Sequence, residues 1–187
     1  LGEKNPPATN VISPGAVNPV DCKFTETSPE GSWYNNSYDD SKWQTGKMPF
    51  GLGWEGNAAT AWKSKSIWVR REIELNDLDI DQLVLDLRHD EDIEVYINGQ
   101  QAYACSNCYV KEFKQYNIKD EIKTHLKKGK NLIAIHCINS QGYAWLDAGL
   151  SKRKRAANAL LAKQEDVTVT PTQTTYAFSC GSVKLQL

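Results

Sequence analysis

The charged stretch of residues 88–92 is where residue types and spacing come closest to a chemical site. Asp90 and Asp92 form a pair of carboxylates, and His89 directly precedes them. A glycosidase requires two carboxyl groups that flank the scissile bond from opposite sides, normally on different strands. Because Asp90 and Asp92 lie within one turn, their spacing does not encode that arrangement.

Histidine-based catalysis has no better support in the sequence. His89, His125 and His136 have no serine or cysteine nucleophile recognisable by motif, and GxSxG is absent. We therefore predict no catalytic residue in this chain and do not expect it to act as an enzyme by itself. A stand-alone glycoside hydrolase is retained as a second alternative.

The sequence contains only weak motifs for metal binding. The oxygen-rich run Asp90, Glu91, Asp92 has ligand types that suit calcium, but the DxDxDG spacing is missing, so we predict no cofactor, with calcium as the alternative. Cys105 and Cys108 form a CxxC pair that is compatible with a metal site, a local disulfide or free thiols. No second CxxC or nearby His pair completes a metal site.

Recognition of a sugar is the chemistry that the aromatic and polar loop residues suit best. A pyranose has an apolar face that packs on an aromatic ring, and its hydroxyl groups need polar partners. The aromatic candidates are Trp54, Trp62, Tyr143 and Trp145. The polar candidates are Arg88, His89, Asp90, Asp92 and Asn139. The alternative is that these loops pack on a neighbouring domain and that the two tryptophans of the 51–65 loop close the core.

The composition excludes some classes of partner. Lys and Arg total 22 against 23 Asp and Glu, a formal net charge of −1, so we expect no nucleic acid partner. No apolar run approaches the ~20 residues of a membrane-spanning helix, so we predict no membrane span. The length of 187 residues suits one ordinary domain with a small appendage.

Alternating apolar and polar residues predict a series of short strands. The alternating stretches are residues 66–75, 83–87 and 93–97. Asn98-Gly99 predicts a type I′ hairpin turn, because both residues tolerate a positive φ. Residues 132–138 are almost continuously apolar, as is typical of a central strand, and residues 113–126 predict a short helix or a turn-rich crossover. Together these signals predict an all-β fold, an antiparallel β-sandwich of the jelly-roll type.

The chain is expected to have three parts. Residues 1–20, with several prolines among Asn, Ser and Gly, predict a linker or extended arm. Residues 21–150 would form the sandwich. Residues 151–187 predict a short helix over 151–165 and the first strands of a following, truncated domain. The strands of its first hairpin would be residues 167–171 and 175–179.

Four blocks of sequence carry a resemblance to a known module. In chain order they are SYDDSKWQTGKMPFG, SIWVRREIEL, LRHDEDIEVYING and LKKGKNLIAIHCINSQGYAWLDAGL. Their order and spacing resemble the galactose-binding-domain-like β-sandwich module found beside the catalytic domains of many secreted bacterial carbohydrate-active and related hydrolases. The tail ALLAKQEDVTVTPTQTTYAFSCGSVKLQL is similar to the start of the domain that follows such a module in bacterial relatives of glutaminase A.

The resemblance implies a non-catalytic accessory module of a larger exported hydrolase, either glutaminase A-like or glycosidase-like. Such a module would bind a carbohydrate or a peptide at the loop end of the sandwich, or it would only brace the catalytic domain. An interdomain spacer without a ligand is the alternative. The resemblance also implies that the partners are neighbouring domains of the same polypeptide and that the protein resides in the periplasm or at the cell surface.

Overall fold

β-Strands make up most of the regular structure in the described residues, which are 6–52, 58–155, 178–180 and 183–185 of a computed structural model. In chain order the strands are β1 (Thr9–Ile12), β2 (Asp21–Thr25), β3 (Gln44–Lys47), β4 (Phe50–Leu52), β5 (Thr60–Ala61), β6 (Ser66–Leu75), β7 (Gln82–His89), β8 (Ile93–Ile97), β9 (Gln100–Cys105), β10 (Lys114–Asn117), β11 (Gly129–Ile138), β12 (Ala144–Arg153), β13 (Phe178–Cys180) and β14 (Val183–Leu185). The described helix, α1 (Asp120–Lys123), has a single turn. No helix in these ranges has the length and apolarity to cross a lipid bilayer.

The chain divides into two compact units, Leu1–Arg155 and Ala156–Leu187. In the second unit, the described strands β13 and β14 pair antiparallel. The first unit holds two six-stranded sheets. The first sheet has the order β10–β7–β12–β4–β5, with β1 also paired to β12, and the second has the order β3–β2–β6–β11–β8–β9. Apart from the parallel pair β4–β5, the described pairings in the first unit are antiparallel, which confirms the predicted antiparallel β-sandwich.

The hydrophobic core of the first unit combines side chains from both sheets. The period of two in β6 buries Ile67, Val69 and Ile73, while β7 contributes Leu83 and Leu85. Full burial of one such side chain is worth roughly 1.5–3 kcal/mol relative to exposure. Alternation therefore decides which face each of these strands turns towards the core.

A second hydrophobic cluster packs on the other face of the second sheet. Its members are Trp33, Trp68, Leu132 and Ala134, with Tyr34, Tyr38, Trp43 and Tyr96 packed against them. Trp68 stacks on His136 with ring centroids 4.4 Å apart, and the buried Arg70 guanidinium donates to Asp40 at 2.6 Å. Strand β11 thus contacts apolar side chains on both faces, which explains its nearly continuous apolar sequence. Its pairing with β6 and β8 confirms the predicted central position.

The charged stretch crosses from one sheet to the other. Strand β7 belongs to the first sheet and β8 to the second, so residues 90–92 form the crossing. The main-chain N–H of Asp90 donates to the carbonyl of Trp145 in β12 at 2.8 Å. The main-chain N–H of Ile138 in β11 donates to the carbonyl of Asp92 at 2.9 Å. The crossing is therefore anchored to both sheets.

The N-terminal arm is attached to the first sheet, because β1 pairs antiparallel with β12. The buried carboxylate of Asp147 accepts the main-chain N–H of Gly15 at 2.7 Å. The buried guanidinium of Arg71 donates to the carbonyl of Ser13 at 2.8 Å and to that of Ala148 at 2.7 Å. These contacts join the arm, β6 and β12.

Some predicted element boundaries are confirmed and others change. Asn98 and Gly99 have φ values of 47° and 84°, which confirms the predicted left-handed turn. Strand β7 also includes Arg88 and His89, so it is longer than the predicted strand over 83–87. Residues 113–126 contain β10 in addition to α1, because β10 pairs with β7.

The C-terminal predictions are only partly covered by the described residues. Strand β12 continues to Arg153, so the helix predicted over 151–165 does not begin at residue 151. Residues 154 and 155 are not helical, and residues 156–165 lie outside the described residues. So do residues 167–171 and 175–177, which belong to the predicted hairpin.

Candidate functional site

A cavity of about 240 Å³ opens at the edge of the first unit where β7 ends and β12 begins. It is lined by residues 88–91, 109–111, 141 and 143–145, and we call it the end cavity. Strands β7 and β12 are antiparallel neighbours, with His89 opposite Leu146. The last residues of one strand therefore meet the first residues of the other.

The loop between β9 and β10 forms the third wall of the end cavity. A disulfide joins Cys105 and Cys108 at the start of this loop, which decides between the alternatives left open for the CxxC pair. Further along, the main-chain N–H of Val110 donates to the carbonyl of His89 at 2.9 Å. The loop is thus held against the end of β7. The free cysteines of the described residues are Cys22 and Cys137, both buried.

Aromatic rings and cations are among the residues that line the end cavity. The guanidinium carbon of Arg88 lies 4.3 Å from the centroid of the Trp145 ring, within the range of a cation–π contact. Tyr109 and Tyr143 are 62% and 57% exposed. The ammonium of Lys111 lies 5.9 Å from the Tyr109 ring. The cavity therefore offers flat apolar rings to a ligand, with positive charge beside two of them.

His89 contributes a buried hydrogen-bond acceptor to the wall. Its side chain is 1% exposed, and its Nδ1 lies against the main-chain carbonyl oxygen of Asp90. A carbonyl oxygen only accepts, so Nδ1 carries the proton and Nε2 is left as an acceptor. Among the described residues Nε2 has no hydrogen-bond partner. Burial lowers the pKa of His89 from 6.5, which keeps the ring neutral at pH 7.

Asp90 contributes a second buried acceptor. Its Oδ2 is buried and has no hydrogen-bond partner in the described part of the chain. Burial, and then the nearby charge of Glu91, raise the pKa of Asp90 from 3.8 to about 6. The carboxylate of Glu91 accepts the main-chain N–H of Ser140. The indole Nε1 of Trp145 is a buried donor that likewise lacks a partner among the described atoms.

The structure brings some of the candidate residues together and separates others. Those that line the end cavity are Arg88, His89, Asp90, Tyr143 and Trp145. Trp62 is 0% exposed, so its indole is a core side chain and offers no surface to a ligand, which corrects the hypothesis of a platform there. The carboxylate of Asp92 accepts the main-chain N–H of Asn107 at 2.5 Å. Neither Asp92 nor Asn139 lines the cavity, and Trp54 lies outside the described residues.

Sequence reasoning missed several residues of the end cavity. They are Glu91, Tyr109, Val110, Lys111, Gln141 and Ala144. Glu91 stands inside the charged stretch, and Tyr109 follows the CxxC pair directly, so both had a signal in the sequence. The contribution of Lys111 depends on the path of the β9–β10 loop, for which the sequence has no periodic pattern.

The carboxyl groups of the end cavity do not form an opposed pair. Asp90 and Glu91 are consecutive in the chain, and no other carboxyl side chain is among the residues that line the cavity. Glycoside hydrolysis requires carboxyl groups on both sides of the bond. Among the described residues, no group of three or more His, Cys, Asp and Glu side chains is placed to hold a metal ion. The exposed rings and polar side chains that line the cavity suit the binding of a polar ligand.

Comparison with known proteins finds similarity at the level of the fold. No family model matches the sequence, and no curated protein matches it. Among solved structures, a β-glucuronidase from glycoside hydrolase family 2 matches with a TM-score of 0.53 and 18% identity, over 71% of this chain and 17% of that chain. The shared feature is the β-sandwich fold.

Two further solved structures agree with this result. Bacteroides uniformis β-glucuronidase 2 matches with a TM-score of 0.52 and 18% identity, over 70% of this chain and 17% of that chain. A β-glycosidase from Bacteroides vulgatus matches with a TM-score of 0.51 and 20% identity, over 78% of this chain and 20% of that chain. This chain thus spans only 17–20% of the length of these three proteins. All three are glycosidases, so they lend no support to the glutaminase A part of the resemblance.

Proposed function

We propose that this chain is a non-catalytic accessory domain of a larger glycosidase and that it binds carbohydrate in the end cavity. The observation that carries the proposal is the end cavity itself, where exposed tyrosines and an Arg-stacked tryptophan adjoin buried polar atoms. The fold shared with glycosidases, and the small share of their length that this chain spans, support the accessory role.

The chemistry of a pyranose matches this cavity better than that of an apolar ligand. Its volume of about 240 Å³ is below the ~300 Å³ at which pockets for drug-sized ligands begin, which suits one sugar unit. Tyr109 and Tyr143 offer ring faces for the apolar side of the sugar. Polar side chains that line the same cavity, among them Arg88, Lys111 and Gln141, suit its hydroxyl groups.

The disulfide of the cavity loop supports the proposal that the protein is exported. Disulfides persist in oxidising compartments such as the periplasm and the cell exterior, and they are rare where thiols are kept reduced. The Cys105–Cys108 bond belongs to the loop that forms one wall of the end cavity. We propose the periplasm or the cell surface as its location.

Carbohydrate binding is tested by calorimetry and thermal shift with the full 187-residue chain and a panel of mono- and disaccharides. We expect at least one sugar to bind and to raise the melting temperature by mass action. Tyr143→Ala should weaken that binding by about fivefold or more, because it removes an exposed ring from the cavity. Leu78→Ala is the matched control, since Leu78 is also exposed but precedes the start of β7, whose other end forms the cavity.

Two outcomes would contradict the proposal of a carbohydrate site. One is that no sugar in the panel binds or shifts the melting temperature. The other is that a sugar binds equally well to the wild type and to Tyr143→Ala with Tyr109→Ala. Absence of any binding would favour the alternative role, an interdomain spacer that braces its neighbours.

A further inference from the structure

We infer that the Cys105–Cys108 disulfide is reducible in the folded protein and that its reduction weakens ligand binding by releasing Tyr109 from the wall of the end cavity. The statement about ligand binding rests on the proposed carbohydrate site and adds a means of regulating it. The disulfide is the CxxC motif of the sequence, to which the proposed binding site assigns no role of its own.

The disulfide connects the second sheet to the wall of the end cavity. Cys105 is the last residue of β9 and pairs with Ile93 of β8, so the sheet fixes its position. Cys108 directly precedes the cavity-lining residues 109–111. The bond between the two sulfurs therefore fixes the start of the wall relative to the sheet.

Tyr109 lies between two attachment points of the main chain. On one side is Cys108, which the disulfide holds. On the other side is Val110, which is buried and donates its N–H to the carbonyl of His89 at 2.9 Å. The Tyr109 side chain is 62% exposed, so the main chain on either side of it determines where the ring lies.

Weaker contacts remain on the Cys108 side of Tyr109 after reduction. The main-chain N–H of Asn107 donates to the carboxylate of Asp92 at 2.5 Å, but this hydrogen bond is exposed to water. The sulfur of Cys108 lies 3.6 Å from the carbonyl oxygen of Glu91, and a thiol is a weak donor. Because water competes for such groups, the reduced loop is expected to move more than the oxidised loop.

The short span of this disulfide makes it easy to reduce without unfolding the protein. Cys105 and Cys108 are separated by only three positions, and the stabilisation from a cross-link falls as the closed loop becomes shorter. By thermodynamic linkage, a disulfide that stabilises the fold little is itself protected little by the fold. Both cysteines are half-buried beside the exposed Ser106 and Asn107, and exposed disulfides are the labile ones.

The free cysteines of the described residues do not compete in this exchange. Cys22 and Cys137 are both buried. Burial raises the pKa of the Cys22 thiol to about 11 and raises that of Cys137 well above 9.0. Because the thiolate is the reactive form, these two thiols stay protonated and unreactive near neutral pH.

Reduction proceeds by exchange with a dithiol. One thiolate of the dithiol attacks Cys108, forms a mixed disulfide with it and displaces Cys105 as a thiolate, which takes up a proton. The second thiol of the dithiol loses its proton and attacks its own partner sulfur, which releases Cys108 to be protonated. Two electrons and two protons thus pass from the dithiol to the protein, and the dithiol becomes a disulfide.

The first test measures reduction in the folded protein without any sugar. The full 187-residue chain is treated with dithiothreitol and then with iodoacetamide, without denaturant, and peptide mapping reads each cysteine separately. We expect Cys105 and Cys108 to be alkylated and Cys22 and Cys137 to be protected. Circular dichroism of the reduced protein should still show the β-sheet spectrum.

Hydrogen exchange then measures the effect on the wall. Reduction should speed exchange of the Val110 amide by about tenfold or more, since local opening of the loop exposes it. The amide of Ile118 is the matched control. It directly follows β10 and donates to the carbonyl of Leu83 at 2.9 Å, at the other end of β7 from His89. Its exchange should not change.

The second test measures binding of the sugar that binds best to the oxidised protein. Calorimetry should show binding about threefold or more weaker in dithiothreitol, because Tyr109 no longer holds its place. Cys105→Ser with Cys108→Ser should bind as weakly as the reduced wild type, with or without the reductant. In Tyr109→Ala the affinity should not depend on the reductant, because the ring that the disulfide positions is absent.

The outcomes separate this inference from the proposed function. If iodoacetamide labels Cys105 and Cys108 only after unfolding, the disulfide is not reducible in the folded protein and the inference is refuted. If Val110 exchange does not change, or if the sugar binds the oxidised and reduced proteins equally, the inference fails and the carbohydrate site stands. If no sugar binds the oxidised protein, the proposed function fails and the inference fails with it.

Discussion

Asp90 is a residue of the end cavity whose pKa differs clearly from its value in water. Burial and the charge of Glu91 raise its pKa to about 6 from 3.8. The folded protein therefore holds a proton at this position more tightly than the unfolded chain does. The contribution of Asp90 to the free energy of unfolding should fall as the pH rises from about 4 to about 6 and should stay constant above that range.

Asp90→Asn makes this contribution measurable. The variant lacks the titrating group, so the stability of the wild type relative to Asp90→Asn should be greater near pH 4 than near pH 7. Urea unfolding at both pH values measures the difference, and all other titrating groups are common to the two proteins. A relative stability that is constant with pH, or that rises with pH, would show that Asp90 is not held in a desolvated site.

At the level of single residues, chain neighbours in the site were predictable and distant partners were not. Arg88, His89 and Asp90 are consecutive, and their chemistry could be read directly. The two alternatives for Trp62, ligand platform or core side chain, could not be separated because the glycine-rich loop around it has no alternation that reports burial. Its place in the core follows from contacts with strands far away in sequence, and these are not encoded locally.

Among the elements, the β8–β9 hairpin is the one whose turn the sequence specified most strongly. Gly99 has a φ of 84°, and a Cβ at this position would lie 2.8 Å from Oδ1 of Asn35. Gly99→Ala should therefore lower the free energy of unfolding through both backbone strain and this contact. Gly31→Ala is the matched control, because Gly31 has a φ of 67° with nothing within 4 Å of the added atom.

We expect Gly31→Ala to cost about 1–2 kcal/mol, the strain of a left-handed residue alone, and Gly99→Ala to cost more. Chemical denaturation of the two variants beside the wild type provides the comparison. Equal losses of unfolding free energy in the two variants would mean that the Asn35 side chain moves away from the added methyl group without a measurable cost.

The disulfide between Cys105 and Cys108 connects the end of β9 to the loop that forms one wall of the end cavity. Replacement of both Cys105 and Cys108 by serine removes a short cross-link, which the loop-closure relation values at about 2 kcal/mol. A reductant should lower the melting temperature of the wild type but not that of the double variant. Both proteins keep the buried thiols Cys22 and Cys137. If the reductant lowers the melting temperature of both proteins equally, its effect does not come from the Cys105–Cys108 disulfide.

The sequence predicted the strands that have a regular pattern of apolar residues, and it did not predict strands that form only by pairing with a neighbour. Alternation in β6 and the continuous apolar run of β11 were enough to place both strands. Strand β10 has the sequence KQYN, with no apolar alternation, and exists because it pairs with β7. The end cavity was predictable on the β7 and β12 sides, but the Tyr109 side depends on the disulfide loop.

On the scale of the whole molecule, the buried side chains of Arg71 in β6 and Asp147 in β12 both connect the arm to the sheets through main-chain contacts. Arg71 shares a face of β6 with Ile67, Val69 and Ile73 by the period of two, but its partners Ser13 and Ala148 lie far away in the sequence. Arg71→Met removes the donors to Ser13 and Ala148 and leaves the Asp147 carboxylate without the nearby positive charge. We expect the free energy of unfolding to fall by about 3–5 kcal/mol.

Lys130→Met serves as the control for Arg71→Met. Lys130 pairs with Glu72 at 3.5 Å on the exposed surface, where such a pair is worth at most about 1 kcal/mol. Urea unfolding of both variants provides the comparison. Similar losses for the two would show that the arm contributes little to the stability of the first unit.

The crossing at residues 90–92 has a consequence for how an occupied cavity would be detected. Its first residue is hydrogen-bonded to β12 and its last to β11, so one short segment connects the two sheets. A sugar bound against Asp90 would reduce the motion of this whole segment. The amide hydrogen of Ile138, which lies on the far layer and outside the cavity, should then exchange with deuterated solvent more slowly than in the empty protein.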